Sequence, residues 1–281
     1  LGATRSYRDY QSLVNDHEVD VVYISTTHPH HRAQALMAVE AGKAVLIEKP
    51  VCLNAAHARE VFNAATKADV FAMEAMWTRI NPLIREAQQL IADGVIGDVR
   101  GVRNEFGLGR PFDPKDRLYE LANGGGALLD LGIYPVTFAY LFLGPPDEVR
   151  TVGTLSPTGS DETVAMQWMY GRHPGAQLWT SAPIHAPNAA AIYGSRGWLE
   201  FLPEAYRPTG LVVHNADGEY RIEDPLAGNG RGYQPEIEEV ERCLRTGLLE
   251  SPLVPQAETI AILEILDAAR AAVGVVYPDE R

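Results

Sequence analysis

The sequence predicts an α/β domain built on a parallel sheet, followed by an α+β domain built on a large, mostly antiparallel sheet. Strands and helices alternate over residues 19–77 with short connections, a pattern that favours right-handed crossovers between parallel strands. Several short alternating runs follow over residues 148–223, separated by Gly, Pro, Asn and Asp. The length of 281 residues is sufficient for two domains, predicted as residues 1–78 and 79–281.

The first domain is predicted to contain three strands, of which at least two are buried, and two helices. Short apolar, β-branched runs predict the strands, and apolar residues near every third or fourth position predict the helices. A glycine ends the first helix, and Asn54 is a plausible N-cap for the second. In chain order the elements are the strand VDVVYIST (19–26), a helix at 30–42, the strand AVLIEKP (44–50), a helix at 53–68 and the strand VFAMEAMW (70–77).

The second domain is predicted to begin with a helix at residues 81–97, which a half-buried strand follows at residues 99–107. Residues 124–144 are predicted to be helical despite their glycines. The antiparallel strands come next, and two helices end the chain. For the last of them, at about residues 256–274, packing back against the first domain is an open alternative.

The bulk composition disfavours several functional classes. Asp and Glu outnumber Lys and Arg by 37 to 24, a formal charge of −13, which opposes binding to nucleic acids or anionic membranes. Cys52 and Cys243 belong to no paired or metal-binding motif, which fits a reducing cytoplasm. No apolar run approaches the roughly 20 residues of a membrane span, and the first ten residues lack a signal-peptide pattern. We therefore expect a cytoplasmic protein.

Lys49 follows a predicted strand at the end where open parallel sheets bind ligands. Glu48 before it and Pro50 after it stiffen the turn, which suits a positioned ammonium group. Such a group can polarise a hydroxyl, lower the pKa of a neighbouring acid or bind a cofactor ribose. A solvated loop lysine is the alternative, and spacing alone does not choose among these roles.

Asp130 and Tyr134 lie four residues apart in GGGALLDLGIYPV, so on a helix they share one face. A free tyrosine has a pKa of about 10, and a nearby ammonium group lowers it. Lys49 and Tyr134 would therefore form a proton-transfer pair if the domains bring them together. A buried helix with a hydrogen-bonded Asp and a core Tyr is the alternative. The glycines permit close approach of a ligand or another chain segment.

Other polar residues lie near strand ends. The segment TTHPHH (26–31) has three histidines without acidic or Cys partners at ligand spacing, which favours a cofactor-lining loop over a metal site. Trp77 and Arg79 could offer a flat wall and an anion partner, or be a core tryptophan and a surface arginine. Arg110 and Arg117 could meet an acidic substrate, although a solvated loop face is the favoured account. The glycine-rich GLGRPF and GNGRGY do not open a helix after a strand, so neither is a dinucleotide fingerprint.

Taken in order, VDVVYIST, ALMAVEAGKAVLIEKP, FAMEAMWTR and GGGALLDLGIYPV resemble the Gfo/Idh/MocA family of NAD(P)-dependent oxidoreductases over essentially the whole chain. THPHH, MEAMWTR, LLDLGIY and RCLRTGLLESPLVP are similar to its branch of dimeric dihydrodiol dehydrogenases and NADP-dependent D-xylose 1-dehydrogenases. EKP alone is weakly specific, but the ordered set is strongly specific. The resemblance implies a Rossmann-type first domain, NADP or NAD as cofactor, a sugar or cyclic diol as substrate, and a homodimer formed through the C-terminal sheet.

The resemblance also implies roles for individual residues. Hydride would pass to the nicotinamide while Tyr134, assisted by Lys49 and oriented by Asp130, takes the hydroxyl proton. Phe106 and Tyr134 would contact the substrate, in a pocket formed partly by residues 106–120. The residues implied in the cofactor crevice are Thr26, Thr27, His28, His31, Glu48, Pro50, Trp77 and Arg79.

One departure from the family pattern has consequences for function. Family members begin with a strand–GxGxxG–helix unit that binds the pyrophosphate, whereas this sequence is expected to begin near the third strand, at TRSYRDYQSLV. VDVVYIST would then lie at an open sheet edge. We expect an N-terminally truncated dehydrogenase that binds its cofactor poorly, or a cofactor- or sugar-binding protein that has lost catalysis. A non-redox sugar enzyme that uses its nicotinamide transiently is a third reading.

Overall fold

The computed structural model describes residues 4–228 and 232–280, which form two compact units. The first unit contains the described residues up to Met76 together with Ile237–Ile260, and the second contains the rest. The units differ from the predicted limits of 1–78 and 79–281 mainly because Ile237–Ile260 belong to the first. Part of GNGRGY, at residues 229–231, lies outside the described chain.

The first unit is built on a parallel sheet of three strands in the order β1-β2-β3. The strands are β1 (Val21–Ile24), β2 (Ala44–Glu48) and β3 (Ala72–Ala75). The predicted parallel sheet is confirmed, and the apolar residues of the central strand β2 are all buried, as is typical of parallel sheets. The composition of VDVVYIST predicted a buried strand, which is wrong, whereas its predicted position at an open sheet edge is confirmed. Within the described residues β1 is an edge strand, and the side chain of Tyr23 is 49% exposed.

Three helices accompany this sheet in sequence: α1 (Tyr10–Val14), α2 (His28–Glu40) and α3 (Ala55–Ala68). Asn54 is the N-cap of α3, and its side-chain oxygen accepts a hydrogen bond from the backbone N–H of His57 at 2.9 Å. This confirms the predicted cap, which satisfies one of the unpaired N–H groups at the helix start.

The second unit is built on an eight-stranded sheet in the order β11-β10-β9-β8-β4-β7-β6-β5. Strands β4 and β7 pair in parallel and the other neighbours are antiparallel, so the predicted, mostly antiparallel sheet is confirmed. The strands are β4 (Val99–Gly107), β5 (Glu148–Leu155), β6 (Asp161–Tyr170), β7 (His173–Ser181), β8 (Ala190–Gly194), β9 (Gly197–Phe201), β10 (Gly210–Asn215) and β11 (Gly218–Glu223).

The helices of the later part of the chain are α4 (Trp77–Ile80), α5 (Pro82–Ala92), α6 (Ile133–Leu143), α7 (Gln234–Arg245) and α8 (Gln256–Val273). A five-residue turn of π-helix, Leu128–Gly132, runs directly into α6. The predicted continuous helix over 124–144 therefore begins four residues late and with a wider first turn. Helix α6 packs on β4 and β7, and the ring of its Phe138 meets that of Phe201 in β9 edge to face at 4.9 Å.

The stretch Leu121–Leu143 is long and apolar enough to cross a membrane by length and composition alone. However, 78% of its most apolar window is buried inside the protein, which is what a core helix of a soluble protein shows. The prediction that no apolar run approaches this length missed the stretch because Asn123 and Asp130 interrupt it.

Candidate functional site

The three parallel strands of the first unit end at one edge of their sheet, where open α/β sheets bind ligands. Thr26 follows β1 and Lys49 follows β2, so the structure brings these two predicted site residues to the same edge. Lys49 is half-buried, Pro50 is buried, and the peptide bond between them is cis. The Glu48 carboxylate accepts hydrogen bonds from the Lys49 backbone N–H at 3.2 Å and from the Tyr23 hydroxyl.

His31 joins the loops that follow β1 and β2. Its Nδ1 lies 3.0 Å from the carbonyl oxygen of Pro50, and its Nε2 lies 3.0 Å from that of Thr26. The ring is fully buried, and burial lowers the pKa of His31, while the contacts with the two carbonyl oxygens act against that fall. The neighbouring ring of His28 is also buried and meets that of His31 edge to face at 5.9 Å.

The threonines of the first loop make different local contacts. The Thr26 hydroxyl donates to the Gln34 side chain at 2.8 Å, which ties the loop to α2. Thr27 is the N-cap of α2, but its side chain makes no capping hydrogen bond. The predicted contacts of these loop residues with a cofactor stay predictions.

Glu74 also lies at this edge of the sheet, although the sequence analysis did not identify it. It lies in β3, its side chain is buried, and its carboxylate accepts from the Val51 backbone N–H at 2.9 Å and from the Thr259 hydroxyl at 3.3 Å. The segment after Lys49 is thus held by Glu74 at Val51 and by His31 at Pro50. Two buried polar side chains fix this turn, and a fixed turn suits a residue that must present an ammonium group in one place.

In the second unit, five rings form an aromatic cluster. The closest pairs are stacked: Phe106 on Tyr206 at 4.5 Å with an angle of 3°, and Trp77 on Tyr233 at 4.7 Å with an angle of 16°. Tyr134 completes the cluster, since its ring lies 5.7 Å from Phe106 and 5.5 Å from Tyr206. The structure therefore brings Trp77, Phe106 and Tyr134 together and adds Tyr206 and Tyr233, which the sequence analysis missed.

The Tyr134 hydroxyl has a specific donor in this cluster. The indole N–H of Trp77 donates a hydrogen bond to the Tyr134 oxygen at 3.2 Å. Burial and a hydrogen bond with Glu204 raise the pKa of Tyr206. Tyr206 is therefore held protonated near neutral pH.

Asp130 lies in the π-helical turn that precedes Tyr134, and it is buried. Its carboxylate accepts a hydrogen bond from Arg117 at 3.0 Å, while Arg110 donates to Asp116 at 3.0 Å. Both arginines thus pair with carboxylates of the protein itself, which favours the account without an acidic substrate.

The predicted site residues are divided between the two units. Thr26, His31, Glu48 and Lys49 belong to the first, and Tyr134 belongs to the second, so the pairing of Lys49 with Tyr134 stays a prediction. Arg79 is buried in α4 of the second unit, so the alternative of a surface arginine is wrong. Among the described residues, no group of three His, Cys, Asp or Glu side chains could hold a metal ion.

Comparison with known families gives two matches along the chain. Residues 2–76 match the oxidoreductase family with an NAD-binding Rossmann fold, and residues 84–200 match the GFO/IDH/MocA C-terminal domain. The chain is 36% identical over 283 residues to the trans-1,2-dihydrobenzene-1,2-diol dehydrogenase of Homo sapiens, covering 99% of this chain and 84% of that protein. It is 38% identical over 291 residues to the enzyme of that name from Oryctolagus cuniculus, covering 100% and 87%.

Solved structures share the fold. The aldose-aldose oxidoreductase of Caulobacter crescentus, complexed with glycerol, superposes with a TM-score of 0.84 at 25% identity over 95% of this chain and 80% of that one. A levoglucosan dehydrogenase complexed with NADH and levoglucosan has a TM-score of 0.83 at 21% identity, over 95% and 81%.

Proposed function

Because the chain belongs to the Gfo/Idh/MocA family of oxidoreductases with an NAD-binding fold, we propose that it transfers a hydride between a sugar or cyclic diol and NADP or NAD. Tyr134 is the proposed acid/base and Lys49 its assisting cation. The observation that carries the proposal is the position of the Tyr134 hydroxyl, which lies in the aromatic cluster and accepts a hydrogen bond from Trp77.

The loops at the strand ends of the first unit fit a nicotinamide cofactor by their chemistry. The half-buried ammonium group of Lys49 and the Thr27 hydroxyl, which is not used for capping, are donors of the kind that bind ribose hydroxyls. When bound, the nicotinamide ring supplies the carbon that accepts the hydride. His31 and Glu74 hold the Lys49 turn in place from within the protein.

In the oxidative direction the substrate loses a hydride from carbon and a proton from its hydroxyl group, and a carbonyl forms. Tyr134 takes that proton on its phenol oxygen, and in the reductive direction it returns the proton to the new alkoxide. The indole N–H of Trp77 donates to the Tyr134 oxygen, and we propose that this hydrogen bond and the ammonium group of Lys49 together stabilise the phenolate that accepts the proton. Asp130 is held by Arg117, and we propose that it orients the π-helical turn that precedes Tyr134.

The aromatic cluster suits a cyclic substrate. Flat rings such as those of Phe106 and Tyr206 pack against the apolar face of a sugar as well as against an unsaturated carbon ring. The names of the curated relatives favour a cyclic diol, and the structural neighbour from Caulobacter crescentus favours an aldose. The proposed substrate class therefore includes both.

We also propose a cytoplasmic homodimer that forms through the outer face of the eight-stranded sheet. On that face the side chain of Val152 in the edge strand β5 is 72% exposed. Trp179 of β7 and Gln177 beside it line the same shallow depression. Sedimentation velocity of the chain and of Val152→Asp tests this, and a monomeric wild-type chain contradicts it.

The test of the reaction compares Tyr134→Phe with Tyr206→Phe. NADPH formation from NADP with aldoses and with trans-dihydrodiols is followed by absorbance. Removing an acid/base group is expected to slow turnover by roughly 100-fold or more, whereas Tyr206→Phe keeps its ring and is expected to retain most of the activity. Equal activity of Tyr134→Phe and wild type contradicts the assignment.

A second measurement separates the enzyme from a binding protein with the same fold. Quenching of tryptophan fluorescence by NADPH reports cofactor binding in wild type, Tyr134→Phe and Lys49→Met. Binding by all three with turnover by wild type alone supports the dehydrogenase. Saturable binding by wild type without turnover of any aldose or diol supports the alternative of a binding protein.

A further inference from the structure

The glycine-rich segment before α6 meets a buried carboxylate. Asp161 is the first residue of β6, and its side chain is buried. Its Oδ2 accepts a hydrogen bond from the backbone N–H of Leu128 at 2.5 Å. Leu128 is the first residue of the π-helical turn Leu128–Gly132, so Asp161 satisfies a backbone donor that the start of a helix leaves unpaired.

The glycines are required by this contact. A Cβ atom on Gly126 would lie 2.3 Å from Oδ1 of Asp161, and the φ of +140° at Gly126 is one that other residues rarely adopt. At Gly125 a Cβ atom would lie 2.7 Å from the carbonyl oxygen of Arg117. The segment therefore admits another part of the chain at close range. The sequence pattern alone left open whether that partner is a ligand or the protein.

Further side chains of the second unit reinforce the same place. The hydroxyl of Tyr277 donates to the carbonyl oxygen of Gly125 at 3.1 Å. The guanidinium of Arg270 lies over the Tyr277 ring at 4.7 Å, and its positive charge lowers the pKa of Asp161. The π-helical turn therefore begins at a place that is fixed by Gly125, Gly126, Asp161 and Tyr277.

We propose that Asp161 is a positioning residue for the reaction, because it fixes the start of the turn that carries Asp130 and leads into Tyr134. The proposal rests on the proposed function only in that Tyr134 carries the chemistry. The route is short: Leu128 is bonded to Asp161, the turn ends at Gly132, and Tyr134 is the second residue of α6. A shift at Leu128 is therefore expected to move Tyr134 as well.

The energetics support a role beyond stability. Burial raises the pKa of Asp161 to about 6, so at neutral pH a desolvated carboxylate is kept inside the protein. Its hydrogen bond to Leu128 and the charge of Arg270 act against this rise without cancelling it. A buried charge lowers stability, and folded proteins retain such unfavourable groups mainly at functional sites.

The test uses Asp161→Asn and Asp161→Ala, with Val213→Ala as a matched control. Val213 is fully buried in β10 of the same unit, so its truncation weakens the core outside residues 126–134. Hydrogen exchange followed by mass spectrometry reports the backbone N–H groups of residues 126–134 in the full chain. Steady-state kinetics with NADP report kcat and KM separately.

For Asp161→Ala we expect faster exchange over residues 126–134 and a kcat lower by roughly 10- to 100-fold with KM little changed, since a small displacement of a reacting group has that effect. Asp161→Asn keeps one acceptor oxygen and is expected to restore most of both readouts. Val213→Ala is expected to lower the melting temperature without either change.

Two outcomes overturn the proposal. One is unchanged exchange over residues 126–134 in Asp161→Ala, and the other is a kcat for that variant equal to that of Val213→Ala at matched stability. If the wild-type chain turns over neither aldoses nor diols, the proposed reaction fails by itself. The exchange result then still decides whether Asp161 fixes the turn.

Discussion

Asp161 makes the stability of this protein depend on pH in a direction opposite to that of most carboxylates. Its pKa is raised from the ordinary 3.8 to about 6 by burial. Between these values the folded protein holds a proton that the unfolded chain has released, so the free energy of unfolding falls as the pH rises. At about 1.4 kcal/mol for each pKa unit, the whole difference corresponds to about 3 kcal/mol.

The perturbation is Asp161→Asn, and the assay is guanidinium unfolding of both proteins at several pH values between about 4 and 7. Wild type is expected to lose roughly 2.4 kcal/mol relative to the variant across this range, because the unfolded carboxyl is already largely ionised at about pH 4. The loss is nearly complete about one pH unit above the folded pKa of about 6. Other carboxylates titrate in both proteins and cancel in the difference. Fluorescence reports the transition, because Trp168 is fully buried in the folded state.

A second variant checks the sign. Glu148 forms hydrogen bonds with Arg150, which lower the pKa of Glu148, so Glu148→Gln should lose stability relative to wild type as the pH rises through the ordinary value of 4.5. A difference between wild type and Asp161→Asn that does not change with pH would refute the reasoning. It would mean that the carboxylate is not protonated in the folded state at any pH in the range.

Three further predictions concern stability and reactivity. Asn54→Ala removes the acceptor for the His57 N–H and should cost about 1 kcal/mol in denaturant unfolding, an effect that Asn54→Ser should largely avoid. Phe138→Ala empties a fully buried position in α6 and should cost about 3–5 kcal/mol by the same measurement. Cys52 and Cys243 are fully buried and burial raises the pKa of both thiols, so iodoacetamide should modify neither in the native chain and both after unfolding, as judged by intact mass.

The fold was predictable wherever burial alternates along a single element. Strand β4 has the predicted limits, 99–107, because its side chains point by turns to the core and to solvent. The exposure of β1 was not predictable from its own residues. VDVVYIST has the composition of an inner strand, and only the departure from the family pattern predicted its position at an open edge.

The site residues were predictable where their chemistry depends on one type of side chain at a position that a local pattern marks. Lys49, Asp130 and Tyr134 were selected from local patterns, and their places in a sheet-edge loop and at the start of α6 agree with those patterns. Tyr206 and Tyr233 were not found. Each lies in a loop without periodicity, and the cluster arises only because the fold returns those loops to the ring of Trp77.

The glycines before α6 show what a local sequence pattern does not reveal. A run of glycines indicates that something approaches the backbone closely, and this holds equally for a phosphate, a substrate or another strand. Here the approaching group is the carboxylate of Asp161, 33 residues further along the chain from the N–H that it accepts. No spacing rule connects positions so far apart, and an Asp at the start of a predicted strand is ordinarily a turn residue. The hydrogen bond from Leu128 and the clearance at Gly126, which is too small for a single methyl group, identify the partner. The start of the helix therefore depends on a buried carboxylate.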